Sequence, residues 1–294
     1  MPRRKGPWDA VPDQHGRRFV VTGASGGLGL ETARVLAERG AEVVLAVRNP
    51  GKGEAAARTM TGAVEVRRLD VADLASVREF AGEIGAVDVL INNAGVLAVP
   101  YALTGDGFET HLATNHLGHY LLTNLMLPQL RDRVVVISSD AHRAGELDLT
   151  DLNWERRAYK PFAAYGASKL ANLLFLAELQ RRLTASGSTL RAIGSHPGST
   201  ATSITGNTGN AFKTWVGSWG HKLAGMPVWK GALTTLYAAT MDLPGNSFIG
   251  PDGFKEFRGW PTGVGRSREA VDPALALGLW EASEEMTGTG FPLA

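Results

Sequence analysis

The chain alternates short apolar runs with amphipathic stretches, and this alternation limits the folds open to it. Runs such as RFVVT at 18–22, VDVLI at 87–91 and RVVVI at 133–137 are predominantly apolar, as expected for strands that are buried on both faces. Apolar residues recur with a helical period between these runs. Strands separated by helical crossovers form parallel βαβ units. The sequence therefore predicts an α/β fold with one doubly wound parallel sheet of Rossmann type.

Seven strands and seven helices follow from this pattern. The predicted strands cover residues 18–22, 42–47, 64–69, 87–91, 133–137, 190–195 and 247–249. The predicted helices cover residues 28–39, 53–60, 74–82, 108–130, 165–183, 230–240 and 272–286. Because no repeat or linker interrupts the series, we expect a single domain over 18–294, preceded by a tail or entry segment over 1–17.

Residues 199–229 interrupt the regular alternation. They are rich in Gly, Ser and Thr and carry Trp215, Trp219 and Trp229. A long connection inside a compact domain is usually functional. We expect a helical lid over a substrate here, and the alternative is an ordinary packed flap. An apolar lid favours a lipophilic substrate.

Composition excludes several classes of function. The 30 basic and 29 acidic residues leave a net charge of +1, without the basic excess of a nucleic-acid binder. The absence of cysteine excludes disulfides, thiolate metal sites and a cysteine nucleophile. No apolar run is long enough for a membrane span, and no signal-peptide core follows the basic N-terminus. A cytoplasmic protein is expected.

A metal site is not expected. Three histidines, His111, His116 and His119, share one predicted helix. No carboxylate completes a ligand set with them. We interpret them as residues of a helix face or an interface.

A glycine-rich loop joins the first predicted strand to the first predicted helix. Its sequence over 22–29 is TGASGGLG, with glycines in a GxxxGxG spacing. Glycines let the backbone approach a pyrophosphate, and the helix N-terminus supplies N–H groups and a positive dipole end. The loop predicts a dinucleotide site that includes Gly23, Ser25, Gly26, Gly27, Leu28 and Gly29.

The end of the second predicted strand indicates which dinucleotide binds. Proteins that bind NAD usually carry an acidic residue about 20 residues past the glycine loop, where it holds the ribose 2′-hydroxyl. Here the strand ends in Val47 and Arg48 follows. A guanidinium suits a 2′-phosphate. NADP(H) is therefore favoured, and NAD(H) stays possible.

Tyr165 and Lys169 lie four residues apart on one predicted helix and thus share a face. The pKa of free tyrosine, about 10, makes it a poor acid or base at neutral pH. A nearby ammonium favours the phenolate and lowers that pKa. The pair therefore predicts a tyrosine that exchanges a proton with a carbonyl or alcohol.

These three motifs, in this order, resemble the short-chain dehydrogenase/reductase family, and the resemblance covers about residues 17–250. Asn115 resembles the family's helix asparagine, which joins a water-mediated proton relay. The family's active-site serine falls at Ser138 or Ser139, and the resemblance favours Ser139. Ser138 is then expected to end the strand or line the cofactor site. Further positions implied to bind the cofactor are Asp70, Val71, Asn93, Ala94, Gly95, Pro197, Gly198, Thr200 and Thr202.

The segment between Ser139 and Tyr165 is longer than in compact family members. It resembles that of retinol-dehydrogenase-like and WW-domain-oxidoreductase-like members. Tyr159 lies in it, but Ala163 stands four residues on, so Tyr159 is a poor catalytic candidate. Trp154 and Phe162 are interpreted as residues that pack this insert.

The resemblance implies an oxidoreductase that transfers a hydride between nicotinamide and a small-molecule carbonyl or alcohol. Tyr165 is the implied acid/base, and Lys169 lowers its pKa and binds the ribose. Ser139 orients the substrate, and Asn115 orders the relay water. The alternatives are a nucleotide-binding regulatory protein without redox turnover and a non-redox epimerase or dehydratase.

Assembly is left open by the sequence. In this family the helices that carry the asparagine and the tyrosine commonly form a four-helix interface between subunits. A homodimer or homotetramer is therefore expected. A monomer is the alternative, since insertions or a C-terminal extension can cover those faces. The predicted helix over 272–286 either closes part of the pocket or packs on the fold.

Overall fold

The computed structural model describes residues 11–199 and 226–293. In this part, one sheet of eight strands runs in the order β3-β2-β1-β4-β5-β6-β7-β8. The strands are β1 (Arg18–Thr22), β2 (Glu42–Val47), β3 (Ala63–Arg68), β4 (Val87–Asn92), β5 (Leu130–Ile137), β6 (Arg191–Ser195), β7 (Phe248–Pro251) and β8 (Pro261–Gly263).

Strands β1 to β7 pair in parallel, and β8 alone runs antiparallel to β7. The order reverses between β1 and β4, because the chain returns to the centre of the sheet after β3. Such a switch point leaves a crevice at the carboxyl ends of the strands, where α/β proteins bind ligands. The predicted doubly wound parallel fold is confirmed.

The described residues form seven longer helices, six of which lie between strands while the seventh follows the last strand. They are α1 (Gly27–Glu38), α2 (Pro50–Ala57), α3 (Leu74–Glu83), α4 (Gly118–Met126), α5 (Pro161–Ala185), α6 (Val228–Thr240) and α7 (Pro273–Thr287). Each overlaps a helix predicted from the sequence. A π-helical segment at Leu112–Leu117 leads directly into α4.

Among the differences from the predicted elements are one helix end and one missed strand. The helix predicted over 108–130 ends in a short 3₁₀ turn at Leu127–Gln129, because Pro128 ends the regular hydrogen bonding and β5 begins at Leu130. Strand β8 was missed, since three residues of sequence PTG carry no strand pattern. Both errors lie outside the strand ends that position the site.

The core has two halves, one on each face of the sheet. Alternate strand residues point to opposite faces, so Val20 and Leu90 lie in one half while Val21 and Ile91 lie in the other. Helices α3, α4, α5 and α7 cover the first face. Helices α1, α2 and α6 cover the second.

The C-terminal helix α7 packs on α4 and α5. Trp280 is 1% exposed, stacks on Phe175 with ring centroids 5.9 Å apart and meets the edge of Tyr120 at 4.9 Å. His116 bonds Ser283 at 2.8 Å. Of the two placements expected for this helix, packing on the fold is observed. It covers part of the surface formed by α4 and α5.

The described end of the predicted tail is an entry segment. Val11 and Gln14 are buried, and the Gln14 amide donates to the carbonyl of Arg39 at 2.8 Å. The search for membrane spans, limited to the described residues, finds no helix of sufficient length and apolarity.

Candidate active site

A cleft of about 450 Å³ opens along the carboxyl ends of β1 to β6. Sixteen residues that the sequence or the resemblance assigned to a site lie within the described part and line it together. They are Gly23, Ser25, Gly26, Gly27, Leu28, Gly29, Arg48, Asp70, Val71, Asn93, Ala94, Gly95, Tyr165, Lys169, Pro197 and, as the less favoured serine, Ser138. The fold thus brings residues as far as 174 positions apart in the sequence into one crevice.

The glycine loop forms one wall of the cleft. Helix α1 begins at Gly27, within this glycine-rich sequence, so the free N–H groups of its first turn lie at the crevice. A Cβ atom on Gly29 would lie 2.5 Å from Asn93 Nδ2 and 2.8 Å from the Gly23 carbonyl oxygen. Only a residue without a side chain allows this close packing of loop on strand end. The wall therefore fits a pyrophosphate.

Arg48 and Lys52 stand at the end of the cleft near β2. Both are exposed side chains that line the cleft, and Asn49 caps helix α2 between them by accepting from the Lys52 amide at 3.0 Å. Asp70 is the one acidic residue among the described residues of the lining. Two cations and a helix N-terminus at this end favour an anionic group.

Lys169 lies at the other end, on helix α5. Its ammonium donates to the Ile137 carbonyl at 3.2 Å and stands 5.7 Å from the centroid of the Tyr165 ring. Burial lowers the pKa of Lys169 to about 8, because a charged group loses its hydration. The side chain is therefore mainly charged at neutral pH.

Tyr165 departs from one expectation. Burial raises the pKa of its phenol, and a hydrogen bond with Ser139 opposes that rise in part. The expected lowering of this pKa by Lys169 is not observed. The ammonium donates to the Ile137 carbonyl instead. The phenol is consequently held in its protonated form, ready to donate.

The two serines at the end of β5 have different surroundings. The Ser138 hydroxyl is buried and donates to the Lys169 carbonyl at 2.8 Å, which ties the strand to helix α5. The Ser139 side chain accepts from the Ala141 amide at 3.2 Å and bonds Tyr165. Ser139 is thus the serine placed beside the phenol, as the resemblance implies.

Asn115 lies at the π-helical segment that precedes α4. Its side chain accepts from the Val96 amide at 2.8 Å and donates to the Val96 carbonyl at 3.0 Å. It also donates to Ser168 at 2.8 Å, and Ser168 in turn donates to the Tyr165 carbonyl. Asn115 therefore joins the loop after β4 to the turn of α5 that carries Tyr165.

A buried polar cluster beside Tyr165 was missed by the sequence analysis. The carboxylate of Glu109 bonds His111 at 2.9 Å and Tyr159 at 2.9 Å, and the His111 ring lies 6.3 Å from the Tyr165 ring. Burial opposes ionisation, but hydrogen bonds from His111 and the Leu112 amide keep the pKa of Glu109 below its usual value. These hydrogen bonds hold the insert, through Tyr159, against the residues beside Tyr165.

The remaining predictions have mixed outcomes. Trp154 packs within the insert, with its ring 5.6 Å from Tyr159 and the Arg157 guanidinium over its face, whereas Phe162 is 43% exposed. The histidines predicted to lie on a helix face or interface, His111, His116 and His119, are all buried inside the chain. No group of metal ligands is found among the described residues. Thr200, Thr202, Trp215 and Trp219 lie outside the described residues.

Residues that sequence reasoning did not name also line the cleft. They are Asn49, Lys52, Leu69, Val96, Thr114 and Ile137. Lys52 carried a usable signal, because it stands one helical turn beyond Arg48. The others lie next to predicted residues, and their own residue types indicate no chemistry.

Comparisons with known proteins agree with this geometry. A model of the short chain dehydrogenase family matches residues 17–212. Human retinol dehydrogenase 13 is 42% identical over 294 aligned residues, which cover 94% of this chain and 86% of the human protein. Mouse polyprenol dehydrogenase is 38% identical, covering 95% of this chain and 86% of the mouse protein.

A solved structure of high similarity is also found. It is an uncharacterised protein from Mycobacterium paratuberculosis, 53% identical, with a TM-score of 0.86 and coverage of 98% of this chain and 100% of that one. Family match, relatives and cleft lead to one assignment. The chain belongs to the short-chain dehydrogenase/reductase family, whose members are oxidoreductases acting on alcohol and carbonyl groups.

Proposed function

We propose that this chain is an NADP(H)-dependent oxidoreductase that interconverts a lipophilic carbonyl compound and its alcohol. The observation that supports this best is the cleft that has Arg48 and Lys52 at one end and Tyr165 and Lys169 at the other. A regulatory protein that binds nucleotide without turnover gains no support from the family match.

The nicotinamide supplies the hydride chemistry when it is bound. Tyr165 donates its phenolic proton to the carbonyl oxygen of the substrate and takes it back in the reverse direction. Ser139 orients that oxygen from beside the phenol. Lys169 is close enough to the Tyr165 ring, at 5.7 Å, to stabilise a phenolate as the proton leaves. Asn115 holds the loop and helix around this proton path.

The preference for NADP(H) rests on charge at the end of β2. A 2′-phosphate carries two negative charges more than a hydroxyl, and Arg48 and Lys52 offer two cations beside the N-terminus of α2. No carboxylate follows β2 there to hold a ribose 2′-hydroxyl. NAD(H) would leave both cations without an anionic partner.

The lipophilic substrate is inferred from two sources. The loop after β4 reads VLAVPY over 96–101 and borders the cleft through Val96. The relatives are named retinol dehydrogenase and polyprenol dehydrogenase, and these names denote long apolar alcohols. The predicted helical lid over 199–229 fits the same class, although its residues 200–225 lie outside the described part.

Nucleotide titration tests the cofactor preference. Fluorescence titrations with NADPH and with NADH are made on wild type, on Arg48→Ala and on the control Arg58→Ala. Arg58 is exposed at the far end of α2, away from the cleft. Loss of charge-assisted hydrogen bonds should weaken NADPH binding about 10- to 100-fold in Arg48→Ala. NADH affinity should stay within about threefold, because only the 2′-phosphate contact is lost.

Three results would count against the proposal. Equal affinity of wild type for NADH and NADPH would refute the cofactor preference. An equal loss for both nucleotides in Arg48→Ala, but not in Arg58→Ala, would give Arg48 another role. Failure of folded wild type to bind either nucleotide would remove the proposed function altogether.

A further inference from the structure

A buried histidine joins the cofactor loops to the helix that carries Asn115. His119 is 2% exposed, and Thr22, which it contacts, is fully buried. Neither side chain lines the cleft. Neither side chain has a role in the mechanism proposed above. Packing alone does not require an imidazole between the Thr22 hydroxyl and the Asn115 carbonyl.

The hydroxyl oxygen of Thr22 joins the start of the glycine-rich loop to the loop that follows β4. That oxygen accepts from the Asn93 amide at 2.8 Å and the Ala94 amide at 2.9 Å. The hydroxyl proton is left to donate, and His119 Nε2 lies 2.9 Å away, closer than the Ile91 carbonyl at 3.4 Å. Nε2 is therefore an acceptor, which places the ring proton on Nδ1.

The protonated nitrogen, Nδ1, faces the π-helical segment that contains Asn115. His119 Nδ1 lies 3.2 Å from the carbonyl oxygen of Asn115, one helical turn earlier, at the π-helical segment. With the proton on Nδ1, this contact is a donated hydrogen bond. The ring thus bonds the glycine-loop strand on one side and the backbone of Asn115 on the other.

The surroundings keep this arrangement neutral. Burial, together with a smaller effect of the Lys169 ammonium, lowers the pKa of His119 to about 4. His116 is the other titratable group that acts on this helix face, and it is buried and uncharged at neutral pH for the same reason. A neutral imidazole with a fixed tautomer is a stable connector.

We propose that His119 is a positioning residue that fixes the Asn115 backbone carbonyl relative to the nucleotide-binding loops through Thr22. The inference rests on the proposed function, since the position of Asn115 affects turnover only if the proton path proposed above is used. On this inference, loss of the His119 side chain slows the chemical step more than it weakens nucleotide binding.

Three substitutions separate the two bonds of His119. In His119→Asn, the side-chain amide can still donate to the Asn115 carbonyl but cannot reach Thr22. In His119→Gln, the amide reaches toward Thr22, and the bond to Asn115 is lost. His119→Met removes both. His116→Gln is the matched control, a buried histidine of the same helical segment that bonds Ser283 instead.

The experiment measures kcat for reduction of decanal by NADPH, the dissociation constant of NADPH and the melting temperature for each variant. Loss of a hydrogen bond of about 1.4 kcal/mol predicts a kcat about tenfold lower in His119→Gln and His119→Met. His119→Asn should lower kcat as well, because it keeps the bond to the Asn115 carbonyl but loses the link to Thr22. NADPH affinity should change by less than about threefold in His119→Asn and His119→Gln. His116→Gln should lower the melting temperature without lowering kcat.

Wild type and Tyr165→Phe in the same assay keep the two proposals distinguishable. Absence of turnover that depends on Tyr165 overturns the proposed function, and this inference with it. Turnover that depends on Tyr165, with a kcat in His119→Gln equal to wild type, overturns the inference alone. So does a kcat in His119→Asn equal to wild type, because the link through Thr22 is then not needed. A loss of NADPH affinity as large as the loss of kcat also overturns it, because that pattern shows a purely structural role.

Discussion

At the scale of the residue, burial sets the chemistry of the two groups at the end of the cleft. It raises the pKa of the Tyr165 phenol and lowers the pKa of Lys169 to about 8. At neutral pH the phenol is therefore an acid with its proton in place, and the lysine beside it is a cation. The sequence indicated the pair through its spacing, but the size of both effects depends on neighbours that only the fold supplies.

The pKa of Lys169 predicts a pH dependence for carbonyl reduction. The ammonium that supports the developing phenolate is lost as the pH rises through about 8. Reduction at saturating NADPH should therefore decline above pH 8 and form a plateau below it. In Lys169→Met, which carries no titrating group, the residual rate should lack this decline. Rates from pH 6 to pH 10 check the prediction, and an unchanged decline in the variant contradicts it.

Substitution of two glycines in the loop, Gly29 and Gly26, should affect stability differently. A Cβ atom at Gly29 would meet Asn93 and the Gly23 carbonyl, whereas a Cβ atom at Gly26 would meet nothing within 4 Å. Gly29→Ala should lower the free energy of unfolding by about 1–3 kcal/mol, as overpacking does. Gly26→Ala should change it by less than about 0.5 kcal/mol. Urea denaturation compares the two, and equal losses would show that the loop relaxes freely.

At the scale of the element, the strands were predictable and the connections less so. Apolar runs such as those of β1 and β2 have the boundaries that the pattern predicts. The first turn of α5 was missed, because Pro161 starts the helix and the prediction began at Tyr165. Proline suits the first turn of a helix, and this signal was present. The sequence carried no signal for the π-helical segment.

Helix α7 predicts a large effect for one side chain. Trp280 is fully buried between α4 and α5, while Leu277 on the same helix is 40% exposed. Trp280→Ala should lower the free energy of unfolding by about 3–5 kcal/mol. Leu277→Ala should cost less than about 1 kcal/mol, since little apolar surface is lost. Chemical denaturation measures both, and similar small losses would mean that α7 is only loosely attached.

At the scale of the whole molecule, the sheet carries the cleft at the carboxyl ends of its strands and separates the two halves of the core. Arg48 at the end of β2 and the pair of Tyr165 and Lys169 predicted the two ends of the cleft, and the glycine loop predicted one wall. The sheet topology sets how these parts lie relative to one another. The contacts of Glu109, His111 and His119 were not predictable, because they join segments distant in sequence. Their identity as buried connectors became visible only when the loops and helices were placed together.

The buried histidines predict that acid destabilises the fold. Burial lowers the pKa of His116 to about 3 and of His119 to about 4, from 6.5. The unfolded chain binds more protons between these values, so stability is full above pH 6.5 and falls as the pH drops below it. Each group contributes up to about 1.4 kcal/mol per pH unit. Urea denaturation at pH 7.5, 6 and 5 measures the slope. His116→Gln should reduce the slope by one group, and a stability independent of pH would contradict this account.

The central claim is that the protein catalyses hydride transfer between nicotinamide and a substrate carbonyl in the cleft, with Tyr165 as the proton donor. Its most direct test is the oxidation of NADPH in the presence of decanal and of all-trans-retinal, with the alcohol product quantified, for wild type and Tyr165→Phe. The account predicts equal amounts of alcohol and oxidised nucleotide with wild type. It also predicts a rate about 10²- to 10⁴-fold lower in the variant, with NADPH affinity nearly unchanged. A Tyr165→Phe protein that binds NADPH and turns over at the wild-type rate would contradict it.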